Sequence, residues 1–403
     1  MNWQGRTLDL RDAYKNLANS DETKFAAVLA TYNPNVDMVE LDVSDALMFG
    51  STSAVYAFNR VARAIWHIAT VKLGIIVTQF YDDYPGLEPE KTSCTARSAF
   101  QALLSILGWR WADGNKNPPF QHTFSQLGVL VDLRQLPLGK TIIQNKPSRV
   151  EAVSAEIDMH LEKSELSYSS AAELHGKLQY CESQCFGRVA VPALRILRER
   201  ADSKSNYKKL NADLEWALRF LKEHLRTSKP RVITACVSEK AIVIFTDGSS
   251  EGEKHLWGIV VFGLTARPLV AGGSVDERLV KTWKSEQSQI INQVELYPVI
   301  LLREHLGAAL DGRKLLYFID NDAAKDSLVK ADSDSRWTTK LIRKFYDQER
   351  RYPSFPWFSR VPSYSNPADL PSRGGVLEAA KLLIADVFEP KQLEQSVVDE
   401  LVS

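Results

Sequence analysis

Two stretches in the last third of the chain run apolar and β-branched and then break on an aspartate. Ile242-Val243-Ile244-Phe245-Thr246 leads to Asp247, and Leu315-Leu316-Tyr317-Phe318-Ile319 leads to Asp320. A short, continuous apolar run reads as a strand inside a layered α/β sheet. Between them Leu296, Val299, Ile300 and Leu306 recur at helical spacing, so the segment reads strand, helix, strand, with Glu295 opening the helix. A carboxylate at the end of such a strand loses hydration, and cations relieve that cost. Asp369, in Asn366-Pro367-Ala368-Asp369-Leu370-Pro371-Ser372-Arg373, starts a further helix. Asp247, Glu295, Asp320 and Asp369 thus stand at element ends drawn from distant parts of the chain. Each acid by itself reads as simply as a helix cap or a surface charge, while together the four can converge on one metal site.

Around them, strands are expected at 241–245, 257–264 and 314–319 and helices at 294–306 and 337–350. A proline-punctuated loop (Pro353, Pro356, Pro362) should follow. Nearer the start, 73–80 (LGIIVTQF) reads as a buried strand ending on Asp82-Asp83. Helical spacing flanks it at 53–70 and 94–107, with Gly108 as a stop and turn chemistry over 113–119. Adjacent aspartates repel unless cations neutralise them. With a third carboxylate such as Asp9 they can hold two magnesium ions, although an Asp-Asp pair by itself is more simply a polar turn. The middle, 145–231, is helix-forming. From Arg195 to Arg231 it carries eleven Lys/Arg against five Asp/Glu, interleaved with Tyr207, Trp216 and Phe220. A solvated face and a surface that tracks nucleic-acid phosphates both fit that run.

Fifty basic and fifty acidic residues cancel to a net charge of zero, which excludes a wholly basic, histone-like binder but leaves a local basic groove open. Four cysteines are too few for a disulfide framework. The first residues lack the apolar core of a secretion signal, and the longest apolar runs fall far short of a bilayer. An intracellular protein, cytoplasmic or nuclear, is expected rather than a secreted or membrane one. Cys181, Cys185 and His175 share helical spacing but do not make up a four-ligand zinc set, so buried thiols are the simpler reading.

Several motifs occur in an order that resembles retroelement reverse transcriptases. Asp9-x-x-Asp12-Ala13-Tyr14 is similar to the segment that supplies the first metal-binding aspartate and, at Tyr14, the gate against ribonucleotides. Leu47-Met48-Phe49-Gly50 resembles the Leu-Pro-Phe-Gly segment that supports template and incoming nucleotide, with Met48 in place of proline. Phe80-Tyr81-Asp82-Asp83 matches the catalytic aspartate pair. Leu107-Gly108-Trp109 with Lys116, and Leu127-Gly128-Val129, are similar to the next motif and to the primer-grip hairpin. Gly176-Lys177-Leu178 and Gly187-Arg188 resemble stretches of the family's thumb helices. The family's fingers precede its first aspartate motif. Eight residues precede Asp9, so the fingers are expected to be missing from this chain.

The last section resembles the ribonuclease H family of retroelements. The resemblance rests on Thr246-Asp247-Gly248-Ser249, on Glu295 in Ile291-Asn292-Gln293-Val294-Glu295-Leu296, on Ile319-Asp320-Asn321, and on the run from Asn366 to Arg373. No histidine stands in the loop before Asp369, where some relatives keep one.

These resemblances imply an α/β and α+β multidomain chain. Residues 1–145 would be a partial polymerase palm, 146–235 a helical thumb and connection, 236–385 a mixed-sheet ribonuclease H-like domain and 386–403 a tail. The implied metal ligands and catalytic residues are Asp9, Asp82 and Asp83 in the palm and Asp247, Glu295, Asp320 and Asp369 in the last domain, with Mg2+ or Mn2+ as cofactor. Tyr14, Phe49 and Gly50 would meet the nucleotide. The implied activity is metal-dependent hydrolysis of RNA in RNA–DNA hybrids, with RNA-directed DNA polymerisation needing residues this chain lacks. The implied partners are the hybrid, a template–primer, and an upstream polyprotein or fingers-bearing chain. The alternative is an inactive, element-derived protein that binds nucleic acid or a partner.

Overall fold

A computed structural model describes residues 1–114, 117–185, 187–235, 240–390 and 392–402. Lys116 and part of the turn expected over 113–119 lie outside the described residues. The molecule is a mixed α/β protein with several separate sheets. It forms two compact units, Met1–Lys146 with Pro230–Cys236, and Pro147–Lys229 with Val237–Ser403.

In the first unit β1 (Trp3–Asp9) is followed by the hairpin β2 (Val28–Asn33) and β3 (Met38–Val43), then α1 (Thr52–His67), β4 (Asp83–Pro89) and α2 (Ser93–Ile106). β1 pairs antiparallel with β4. Both helices bury one apolar stripe, Phe58, Ala62 and Ile65 from α1 and Ala96, Phe100 and Leu104 from α2, in a core that includes Leu8, Tyr14 and Tyr84. A four-stranded antiparallel sheet follows, made of β5 (Thr123–Gln126), β6 (Val129–Asp132), β7 (Lys140–Asn145) and β8 (Arg231–Thr234). Leu127 and Gly128 join β5 to β6 with both residues at positive φ, the backbone a two-residue hairpin needs.

The stretch 73–80, expected as a buried strand, starts in a turn, with Gly74 at φ 66°, and carries isolated bridges at Val77 and Phe80. Ile75 and Val77 are buried whereas Ile76 and Phe80 are exposed, so only one face is covered. An unbroken apolar run does not distinguish one covered face from two.

The second unit begins with the helices α3 (Pro147–Lys163), α4 (Tyr168–Cys185), α5 (Val191–Asp202) and α6 (Ala212–Thr227), packed through Ile157, Leu174, Leu178, Leu197, Leu218 and Leu221. Cys181 and Cys185 are buried on α4. The helices expected as a module of their own therefore belong, as far as Lys229, to the same unit as the large sheet.

That sheet contains β9 (Ile242–Glu251), β10 (Lys254–Phe262), β11 (Leu269–Ser274), β12 (Lys314–Ile319), β13 (Phe355–Arg360) and β14 (Asp386–Val387). Their order is β13-β12-β9-β10-β11-β14. β9, β12 and β13 run parallel, while β10 runs antiparallel to both β9 and β11. Ile242, Ile244, Ile259 and Val261 bury one face under α7 (Glu277–Glu286), α8 (Ile291–Leu310) and α10 (Arg336–Arg351), with α9 (Asp322–Lys330) packed through Ala324 and Leu328. Val260 and Val270 on the other face meet α11 (Asp369–Ser372) and α12 (Val376–Leu383) through Ala368 and Ala379. Pro298 lies inside α8 and removes the N–H that Val294's carbonyl would otherwise accept from.

Four expectations are corrected here. Asp247 sits within β9, which continues to Glu251, because the strand stays paired with β10 past the acid. Glu295 lies in the second turn of α8 rather than opening it. The proline-marked loop contains β13, where Pro356 is tolerated because β13 is the sheet's edge. Residues 386–403, expected as a tail, carry β14 and α13 (Gln395–Val402), whose Val397, Val398 and Leu401 are buried in the large core.

Candidate metal centre

β9 and β12 are adjacent and parallel, with Ile319 beside Thr246, so the next residues, Asp247 and Asp320, stand side by side. α8 brings Glu295 to them, and two glycines make this geometry possible. A Cβ on Gly248 would lie 2.7 Å from the backbone nitrogen of Glu295, so only glycine lets α8 come this close to β9. Gly258, opposite Asp247 on β10, does the same for the segment around α11. A Cβ there would lie 2.3 Å from the Ala368 carbonyl oxygen and 2.6 Å from the Ser372 nitrogen.

The result is a group of three carboxylates. Asp247, Glu295 and Asp320 each offer an oxygen, and these oxygens all lie within 4.8 Å of one another. Glu295 accepts the Gly248 N–H at 3.2 Å. Asn366 Nδ2 donates to the Thr246 carbonyl at 3.1 Å and to Asp247 at 3.4 Å, and the Ser372 hydroxyl donates to the other Asp247 oxygen. Ser249 donates to the Ser372 carbonyl at 2.6 Å, which ties α11 back to β9. Asp320 Oδ1 is buried with no hydrogen-bond partner.

Burial sets the electrostatics, and neighbouring charges add to it. It pushes Glu295 up to about 10, helped by the charges of Asp247 and Asp320. It pushes Asp247 up to about 6, opposed by the Ser372 hydroxyl and reinforced by Asp320 and Asp369.

Asp369 is outside the group of three. Its carboxylate accepts Arg373 Nε at 3.0 Å, and Arg373 also pairs with Glu251 at 3.1 Å, yet its charge is felt by Asp247. Asn366, Ser372 and Arg373 were quoted in the sequence only as context for Asp369. Their side chains point back at the acids because the short α11 turns within the reach of one strand.

No family model matches the chain, and no curated protein matches it.

The acids expected in the first unit are arranged differently. Asp9 and Asp83 face each other in the last register pair of β1 and β4. Asp82 lies in the turn before β4, after Tyr81 at φ 52°, and its charge helps burial to raise the Tyr14 and Tyr84 hydroxyls. Among the described residues, Asp247, Glu295 and Asp320 are the only three ligand-bearing side chains gathered within 4.8 Å; Asp9, Asp82 and Asp83 are not. Tyr14 is buried, stacked 4.6 Å from Phe58 and tilted 4.9 Å from the largely exposed Phe49. Gly50 follows at φ 91° with open space around it.

Three oxygen donors and no sulfur or nitrogen suit a hard divalent cation. The unsatisfied Asp320 oxygen and the two raised carboxyls fit such an ion, since a cation neutralises what burial penalises. The group can hold a metal ion.

Part of the basic run on the helices is engaged. Arg195, Arg198, Arg219, Lys222 and Lys229 form ion pairs, and Arg343 rather than a base stacks on Trp216. Lys204, Lys208 and Lys209 lie with Tyr207 on the exposed loop between α5 and α6. No helix among the described residues is long and apolar enough to cross a membrane.

Proposed function

We propose that the second unit is a metal-dependent nuclease that hydrolyses RNA in RNA–DNA hybrids, with Mg2+ or Mn2+ held by Asp247, Glu295 and Asp320 and approached by Asp369. The observation that carries this reading is the buried three-carboxylate group with an unsatisfied oxygen, built on neighbouring parallel strands. Its motifs resemble retroelement ribonucleases H, and a mixed sheet with helices on both faces is compatible with that family. When bound, the ions supply Lewis acidity for attack of water on the phosphodiester and for departure of the 3′ oxygen. The chain's own residues fix the ligands. Asn366 and Ser372 hold both Asp247 oxygens, the Gly248 N–H orients Glu295, and Arg373 holds Asp369 at the rim. The exposed lysines 204, 208 and 209 would meet hybrid phosphates.

The test is cleavage of a labelled hybrid with magnesium. The wild-type chain should cut the RNA strand, and Asp247→Asn should abolish cutting. No cleavage by the wild type, or equal cleavage by the variant, sinks the proposal and favours an inactive nucleic-acid-binding or partner-binding protein.

For the first unit we propose a partial polymerase palm, supported by the facing Asp9 and Asp83 and by Asp82 in a tight turn beside Tyr14. Residues 146–235 would act as thumb and connection. Primer extension on a labelled template–primer tests this reading, with Asp82→Asn expected to abolish extension. Extension that the substitution leaves unchanged would overturn it.

A further inference from the structure

The hairpin of β2 and β3 is amphipathic across its two faces. In its register Val28 faces Val43, Ala30 faces Leu41 and Tyr32 faces Val39, so one face is wholly apolar. On the other face, which also carries Leu29 and Met38, Thr31 donates to Asp42 at 3.2 Å and Asn33 to Glu40 at 2.9 Å. Every residue of both strands except the half-buried Asn33 is exposed. On the apolar face Tyr32 is 62% exposed, Val39 61% and Leu41 71%. A lone two-stranded hairpin with a bare apolar face is marginal in water, and period-two patterning of this kind belongs to a sheet with a covered face.

Three observations indicate what covers it. The outer edge of β3 is unpaired among the described residues; it carries no lysine, proline or bulge, and its guards are the acids Glu40 and Asp42, which turn away anionic strands but not cationic ones. From Phe25 to Asn59 there is no Lys or Arg, while Asp37, Glu40 and Asp42 are present in addition to Asp45, which pairs with Lys24 at 2.8 Å, so the face beside Glu40 and Asp42 repels phosphates and favours a cationic polypeptide. The footprint of two six-residue strands is roughly 200 Å², well below the roughly 800 Å² per partner of a stable interface. Two hairpins stacked face to face are therefore too small to hold a dimer by themselves. A partner that also takes up the main-chain hydrogen bonds of the edge avoids that limit.

We propose that this hairpin docks a second polypeptide, which adds a strand along β3 with apolar side chains on the Leu41 side and Lys or Arg beside Glu40 and Asp42. This inference does not rest on the metal centre.

The test uses the full chain and two fluorescein-labelled heptapeptides, one alternating valine with lysine and one alternating valine with glutamate, followed by anisotropy. The lysine peptide should bind saturably and at least tenfold more tightly than the glutamate peptide. It should also slow amide exchange over 38–43. Val39→Lys with Leu41→Lys should weaken it at least tenfold. Glu40→Lys with Asp42→Lys, which leaves the apolar face intact, should reverse the preference between the two peptides. Equal binding of both peptides, or binding that neither double variant changes, overturns the proposal. So does a wild-type chain that sediments as a dimer and becomes monomeric with Leu41→Lys, because the occupant is then a second copy.

Discussion

Ser372 donates its hydroxyl to Asp247, and that bond works against the rise burial imposes on the carboxyl. Ser372→Ala should raise Asp247 further and weaken Mn2+ binding by about tenfold, near the 1.5 kcal/mol expected of a hydrogen bond to a charged group. Calorimetric titration of the intact chain checks this; unchanged affinity would show that Asn366 alone positions the ligand. Glu295 gives a pH signature. Its carboxyl titrates near 10 when folded and near its ordinary 4.5 when unfolded. Between those values the folded state holds the extra proton, so stability is fully present below about 4.5 and declines as pH rises towards 10. Glu295→Gln should flatten that decline in thermal melts run without divalent ions, and a slope as steep as the wild type's would contradict the assignment. Asp247 and Asp320 were legible in the sequence because an acid that ends or follows an apolar run is costly and conspicuous, whereas Glu295 was marked by the helical spacing of the apolar residues after it and by the motif around it. Asn366, Ser372 and Arg373 were not, because polar residues in a turn look the same whether they face water or a carboxylate.

At the scale of elements, periodicity located the interior helices and strands well, since α8, α10 and β12 have patterns that packing enforces. It failed where one face is open or the element lies at an edge. The segment 73–80 keeps apolar residues on both sides but covers only one, and β13 hides behind Pro356. The weak signal of α13 is of the same kind, a helix of eight residues with three buried positions. Leu401 is only 2% exposed in the large core, and Lys344 on α10 pairs with Glu400 at 3.1 Å. Leu401→Ala should cost about 2–4 kcal/mol of unfolding free energy. Urea denaturation measures it, and a cost under 0.5 kcal/mol would mean α13 is not seated as described. The glycine contacts make a sharper forecast. Gly258→Ala forces α11 away from β10 and should reduce both Mn2+ affinity and stability, the latter by about 1–3 kcal/mol.

The whole molecule contains separate apolar cores, one around Tyr14 and Tyr84 in the first unit and others in the second. Asp247, Glu295 and Asp320 all lie in the second unit. Manganese at one hundred times its dissociation constant should stabilise that unit by about 2.7 kcal/mol and leave the other unmoved. Scanning calorimetry would show one transition shifting, and a parallel shift of both would argue against a site confined to the second unit. Net charge hides a similar division. Five of the eleven basic residues of that run are tied up in ion pairs while Lys208 and Lys209 are exposed, so Lys208→Glu with Lys209→Glu should lower the salt dependence of hybrid binding by about two units of slope. An unchanged slope would place the phosphates elsewhere.

Pro298 lies one turn beyond Glu295 on a helix whose face is almost wholly interior. Because it interrupts the ladder of amide bonds there, the turn carrying Glu295 and the turns from Leu301 onward need not open together. The acid that must release a proton to accept an ion sits on a turn whose neighbours Val294, Leu296 and Tyr297 are buried, so an ion would neutralise it where the helix is most tightly covered.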